Sequence, residues 1–238
     1  MALTEKVSLP QGAARNLYMD GALILAAALM GLALYLVFFW VPTELNLGVS
    51  QRIFYFHVPI SVWGLSSIVV TAVASIAYLV LKKNKQRWDS LAYASAEVGL
   101  LFSTLSLVTG VLWTKPVWGV WWTWELKLTL TLIVWFIYAS YLMLDNYGPK
   151  GSQGDRFRAV VAVIGVIAAS MNWVATKISD RRAHPDTIVL NMDLEGTMAL
   201  VLLVSMTVFT LLFVYLLADR YYLRRAERTV DQLYRHVQ

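Results

Sequence analysis

The sequence predicts an all-α integral membrane protein of six transmembrane helices, with both termini cytoplasmic and a tryptophan-rich loop on the outer face. Three observations carry that prediction. Hydrophobic residues make up 58% of the 238 and charged residues only 15%, with a mean hydropathy of +0.59, whereas soluble domains run nearer 45–50% apolar and about 25% charged. Six apolar stretches, at residues 21–41, 60–81, 91–112, 128–144, 159–175 and 198–218, each approach the roughly 20 residues at 1.5 Å rise that cross a hydrocarbon core. Lysine and arginine are also unevenly shared between the two sets of connecting segments, and basic loops stay on the cytoplasmic side. Together the stretches read as a single polytopic domain over residues 1–238.

Taken in order, the first stretch begins only at Gly21, after an arm carrying Lys6 and Arg15. It is too long for the apolar part of a signal peptide and lacks a small-residue cleavage pattern, so it is expected to stay in the mature protein. The first outer loop, 42–59, ends in Arg52-Ile53-Phe54-Tyr55-Phe56-His57-Val58-Pro59. Proline favours the first helical turn and biases the preceding residue away from helix, which places His57 in non-helical chain just ahead of the second span. Lys82, Lys83, Lys85 and Arg87 follow that span on the cytoplasmic side. The third span contains Glu97. A carboxylate inside a span faces protein or water, and Glu97 is expected to be neutral or hydrogen-bonded to a neighbouring helix, a gating role being the alternative.

The second outer connection, 113–127, holds five of the ten tryptophans: Trp113, Trp118, Trp121, Trp122 and Trp124. Indole rings settle at membrane interfaces in many unrelated proteins, and for the scattered Trp40, Trp63, Trp88, Trp135 and Trp173 that suffices. A single anchor does not explain five in one loop. Flat rings, each with one polar N–H, make a rigid apolar platform suited to a planar ligand. After the fourth span, the glycines between 148 and 154 form a polar turn, and Asn172 of the fifth span reads as helix-packing glue. The third outer loop, 176–197, contains Arg181-Arg182-Ala183-His184-Pro185, where proline again puts the histidine in non-helical chain. The sixth span leads into a basic tail whose His236 has a solvated surface role.

With this topology, fourteen of the 20 basic residues lie on the side of the termini. The net charge of +5 is therefore a topogenic and lipid-facing signal rather than a nucleic-acid one.

Cysteine is absent, which excludes disulfides, thiolate metal sites and covalent haem attachment through a CxxCH motif. Chemistry must then use histidine, carboxylates, aromatics or bases, and His57 and His184 are two histidines predicted at similar depth flanking the tryptophan loop. Haem suits that arrangement, because its iron takes imidazole from either face. Arg52, Lys115, Lys127, Arg181 or Arg182 would meet its carboxylates, arginine as a bidentate fork. On chemistry alone zinc, copper or simple hydrogen bonding would serve the same histidines.

The run Trp118-Gly119-Val120-Trp121-Trp122-Thr123-Trp124-Glu125-Leu126-Lys127-Leu128-Thr129 resembles the tryptophan-rich WWD signature of haem-handling proteins in cytochrome c maturation. The length, six spans and the Arg52 to Pro59 run resemble the CcmC family in particular. That resemblance implies His57 and His184 as axial ligands of a transient, non-covalent haem b, with Trp118, Trp121, Trp122 and Trp124 as the platform over it. It also implies delivery of haem to a membrane-anchored periplasmic haem chaperone (CcmE-like), beside ABC transporter subunits (CcmA-like and CcmB-like) and a small membrane subunit (CcmD-like), in a bacterial-type inner membrane. Glu125 and Lys127 stand where the family usually has aspartate and arginine. Lysine lacks the planar fork, so Arg52 becomes the better propionate partner.

Two other classes of membrane protein carry different sequence features. A haem-bearing electron-transfer subunit usually carries histidines within its helices, and none falls within the predicted spans. A secondary transporter tends to show internal symmetry and helices broken at midplane, and the sequence shows neither. The chain has no glycine-rich phosphate loop or nucleophile constellation, which points to a binding and delivery protein rather than an enzyme.

Overall fold

The computed structural model describes residues 12–45, 47–178 and 194–237, and among them the architecture is helical throughout. Helix α1 (Gly12–Tyr35) runs on into a π-helical turn, Leu36–Trp40, which closes with the Val41 amide donating to the Leu36 carbonyl at 2.8 Å. A 3-10 turn, Val49–Ile53, leads directly into α2 (Phe54–Val80). Then follow α3 (Lys85–Trp118), α4 (Leu126–Tyr147), α5 (Ser152–Ile178) and α6 (Gly196–Val237). The segments Met19–Trp40, Val49–Val80, Lys85–Trp118, Leu126–Tyr147 and Gly196–Tyr234 are long and apolar enough to cross a bilayer. Helix α5 opens with Ser152-Gln153-Gly154-Asp155-Arg156 and packs between α2 and α4.

Helices α2 and α3 form the centre, each also touching α6, while α1 lies against α6. Their close approach is a matter of small residues. A Cβ on Gly99 would come 2.7 Å from the Ser67 Cβ, and the Ser95 hydroxyl donates across the seam to the Ser67 carbonyl at 3.0 Å. In lipid, where apolar surface gains nothing from leaving its solvent, such contacts and interhelical hydrogen bonds are what hold helices together. Tyr138 of α4 adds another, donating to the Ile68 carbonyl at 3.0 Å. Asn172 of α5 donates to the Thr131 hydroxyl at 2.8 Å, as its reading as packing glue requires.

The turns follow local chemistry. Asn84 adopts φ 58° between α2 and α3, and Gly119 at φ 76° ends α3 with its amide on the Lys115 carbonyl at 2.9 Å. Glycine takes that left-handed conformation at no steric cost.

Two predicted boundaries are corrected. Helix α2 begins at Phe54, so Pro59 is its sixth residue and His57 is helical, not in loop ahead of the span. The cause is burial. Tyr55 is fully buried and Phe54 nearly so, in a cluster with Val37, Val41, Met198, Val201 and Leu202, and Gln51 donates to the Tyr55 hydroxyl at 2.9 Å. That packing winds the chain into helix one turn earlier than the proline marks. Likewise α3 does not stop near residue 112 but carries Trp113 to Trp118 as helix, so only residues 119–125 form the connection.

Candidate functional site

The end of the bundle where α2 starts and α3 stops gathers most of the residues singled out above. His57 projects from the first turn of α2 against α3. Its Nδ1 lies 2.8 Å from the Thr109 hydroxyl and its Nε2 3.4 Å from the Ser61 hydroxyl, which in turn is 2.6 Å from that of Ser106. Trp113 meets the imidazole edge to face, with ring centres 5.7 Å apart and planes at 64°. Phe54 packs on the same indole at 6.1 Å. Gly110 lets α3 come this near, since a Cβ there would sit 3.3 Å from the His57 Cε1.

Beyond Trp113 the tryptophans change environment. Trp118 is the last residue of α3 and is 40% exposed; Trp121 and Trp124, in the extended connection, are 56% and 76% exposed. Trp122 is half-buried and meets Trp124 edge to face at 5.7 Å. Lys115 fixes the bend: its Nζ donates to the Gly119 carbonyl at 2.7 Å and lies 5.6 Å from the centre of the Trp121 ring, a cation over an aromatic face. The result is a shelf of exposed indoles attached to a half-buried histidine by one helix. The indole Nε1 groups of Trp113 and Trp122 are buried and have no hydrogen-bond partner among the described residues. Buried N–H groups rarely stay unpaired, and two such donors beside an aromatic shelf fit a flat ligand with acceptor groups at its edge.

Glu125 sits in extended backbone immediately before α4 and Lys127 in the first turn of that helix. Burial pushes the Glu125 carboxyl above its usual range, opposed by the charge of Lys127. Arg52 is placed differently. Its guanidinium donates to the Phe38 carbonyl and lies 5.9 Å from the Phe38 ring, so it ties the turn before α2 to the turn that follows α1. His184, Arg181 and Arg182 lie outside the described residues. Within the described residues, no cluster of three or more histidines and carboxylates forms a metal site of the usual kind.

Two residues of the site escaped the sequence reading, Thr109 and Trp113 as a partner of His57. Their signal was present, because residues 109, 110 and 113 share one helical face, but it is legible only if α3 is known to continue past residue 112.

Glu97 is paired. Arg220 of α6 grips its two carboxylate oxygens, Nε to Oε2 at 2.8 Å and Nη2 to Oε1 at 2.6 Å, the hydrogen-bonded state expected of a carboxylate in a span.

The family model of CcmC, heme exporter protein C, matches residues 11–235. The heme exporter protein C of Haemophilus influenzae is 33% identical over 155 residues, 63% of this chain and 62% of that protein. That of Rhodobacter capsulatus is 28% identical over 187 residues, 77% of this chain and 76% of that one. A ccmC-like mitochondrial protein of cytochrome c biosynthesis from Marchantia polymorpha is 32% identical over 146 residues, covering 61% and 62%. The matched segments thus span somewhat under two thirds of the Haemophilus and Marchantia proteins. With the family model covering nearly the whole sequence, and with apolar helices built around a tryptophan-rich connection, the chain belongs to the CcmC family of multi-pass membrane proteins.

Proposed function

We propose that this protein binds haem b non-covalently at the His57 end of the bundle and delivers it to a periplasmic haem chaperone of the CcmE kind during cytochrome c maturation. The observation that carries this reading is the joining of a half-buried histidine, edge to face with Trp113, to a shelf of exposed indoles from Trp118, Trp121 and Trp124. When bound, haem would supply an iron that accepts imidazole nitrogen and a hydrophobic ring with two carboxylates at one edge. His57 and His184 would ligate the iron. The indoles of Trp118, Trp121, Trp122 and Trp124 would cover the ring, and Lys127 with the Trp113 and Trp122 N–H groups would meet the carboxylates. Arg52 holds the α1 end of the wall, and Glu125 marks where the connection re-enters helix.

The distribution of basic residues supports an orientation with this site facing the periplasm and the protein in the inner membrane. Family membership supports delivery beside ABC transporter subunits of the CcmA and CcmB kind, with a small CcmD-like subunit. The relatives are named for heme export and cytochrome c biosynthesis, which suits a delivery component rather than an enzyme. His57 is helical, so helix placement alone no longer separates this reading from a haem-bearing electron-transfer subunit. Its place in the first turn of α2, beside exposed indoles, favours handover at an edge over haems stacked across the bilayer.

The test is the visible spectrum of the detergent-purified protein. Wild type should show six-coordinate, low-spin haem, and His57→Ala and His184→Ala should each disturb the spectrum and lower haem content. Wild-type spectra in both variants would end the ligand assignment. In cells, altering residues 118–125 without loss of protein should lower covalent haem loading of the chaperone. Normal loading in cells lacking this protein would rule out delivery and leave the electron-transfer reading.

A further inference from the structure

The hydrogen bonds around His57 determine where its ring proton sits. Thr109 Oγ1 lies 2.8 Å from the His57 Nδ1, 2.7 Å from the Leu105 carbonyl oxygen and 3.2 Å from that of Ser106. Carbonyls only accept, and a threonine hydroxyl has one proton and two lone pairs. If that proton goes to Leu105, the hydroxyl oxygen is left to accept, and His57 must donate through an Nδ1–H. The reverse arrangement, with Thr109 donating to Nδ1, moves the ring proton to Nε2. The oxygen nearest Nε2 is then Ser61 Oγ at 3.4 Å, outside the 2.7–3.2 Å of a good N–H···O bond, and that oxygen is already engaged with Ser106 at 2.6 Å. A poorly paired N–H in this half-buried place is costly. The doubly protonated ring meets the same difficulty at Nε2.

The surroundings hold the ring as well as the proton. Thr109, Gly110 and Trp113 come from one face of α3: Thr109 meets the Nδ1, Trp113 meets the ring edge to face, and Gly110, where a Cβ would sit 3.3 Å from the Cε1, leaves room for it.

We propose that Thr109 is the positioning residue of the site: its hydroxyl holds His57 as the Nδ1–H tautomer and leaves the Nε2 lone pair, with only the long 3.4 Å contact to Ser61, as the one that would meet the iron of haem. This rests on the reading of His57 as a haem ligand. Partners that accept the second N–H of a ligating histidine orient the ring and set its basicity. A threonine oxygen carries no charge, so it orients the imidazole without the added electron donation of a carboxylate partner. That suits a ligand whose cargo must leave.

The tautomer can be read before any haem is added. The full chain, labelled with 15N-histidine and purified haem-free in lipid nanodiscs, should show for His57 a protonated Nδ1 and a bare Nε2, the signals being assigned by their loss in His57→Gln. A protonated Nε2 overturns the proposal. In Thr109→Val the tautomer should become mixed, and on titration with haem the affinity should fall roughly 10–100-fold, with a changed low-spin spectrum. Thr109→Ser, which keeps the hydroxyl, should retain both wild-type tautomer and affinity. Unchanged tautomer and affinity in Thr109→Val also overturn the proposal. If Thr109→Val does not fold, the wild-type signals and Thr109→Ser decide it. Should His57→Gln bind haem with wild-type affinity and spectrum, the ligand reading fails and the positioning role with it, a failure recognisable because the wild-type Nδ1–H signal would remain.

Discussion

Arg158 of α5 reaches Asp89 of α3 at 2.7 Å, although the two stand 69 residues apart in the chain and their side chains are only 3% and 6% exposed. The pair is the middle of a network at the bundle end opposite the tryptophans. Arg158 also contacts Asp145 at 2.5 Å and Asp155 at 2.6 Å. From α6, Arg224 reaches Asp145 at 2.5 Å, and Arg228 reaches Asp89 at 2.5 Å and Asp155 at 2.9 Å. The Arg224 guanidinium lies 3.8 Å from the centre of the Tyr93 ring. Helices α3, α4, α5 and α6 are thereby fastened together where α6 runs on as an arm.

Removing one member of a buried network leaves its partners charged and unpaired. Arg158→Ala should destabilise the protein by about 3–5 kcal/mol, read as a large fall in thermal midpoint in detergent. Arg220→Ala, which breaks the more exposed pair with Glu97, should cost much less. Equal losses in the two variants would mean that Arg158 is not the keystone.

The seam between α2 and α3 should be intolerant of a single methyl group. Gly99→Ala places a Cβ 2.7 Å from that of Ser67, whereas a Cβ at Gly31 meets nothing within 4 Å. Overpacking of this kind costs roughly 1–3 kcal/mol. Unfolding curves should show the loss at Gly99 and none at Gly31.

The indole shelf should matter for haem and little for folding. Replacing Trp121 and Trp122 together by alanine removes stacking area beside the site and should lower haem retention on a desalting column. Trp88→Ala, at the other end of the bundle, should leave retention unchanged. The same loss in both would return the tryptophans to an interfacial-belt role.

Glu125 should give the protein a recognisable pH dependence. Burial raises its carboxyl in the folded state, so the folded form holds the proton to higher pH than the unfolded chain does. Stability is then lost as pH rises through the ordinary carboxylate range and up to the raised value. Glu125→Gln should therefore melt higher than wild type at neutral pH, and the gap should close in acid. A gap that stays constant with pH would show that ionisation of Glu125 is not its cause.

Much of the molecule was legible in one dimension. Five of the spans announce themselves through length and hydropathy, because in lipid a segment must satisfy its own backbone and cover itself with apolar side chains, a demand met locally. His57 and the run from Trp118 to Lys127 also stood out, since aromatic density and a histidine at a span's edge are properties of composition. Glu97 was expected to be neutral or hydrogen-bonded to a neighbouring helix, and the structure gives the hydrogen bond, but nothing in its neighbourhood named Arg220, 123 residues away.

What the tertiary structure decided are the pairings and the helix ends near the site. Proline marked the start of α2 wrongly because burial of Phe54 and Tyr55 among Val37, Val41 and Val201 outweighs a local backbone preference. The contact of His57 with Thr109, Gly110 and Trp113, and the network around Arg158, depend on the height and rotation of α2, α3, α5 and α6 relative to one another. Those are set by how small residues such as Gly99 and Ser67 let helices meet. The apolar content that makes each segment a span is indifferent to them: a helix rotated about its axis keeps the same hydropathy and presents different partners.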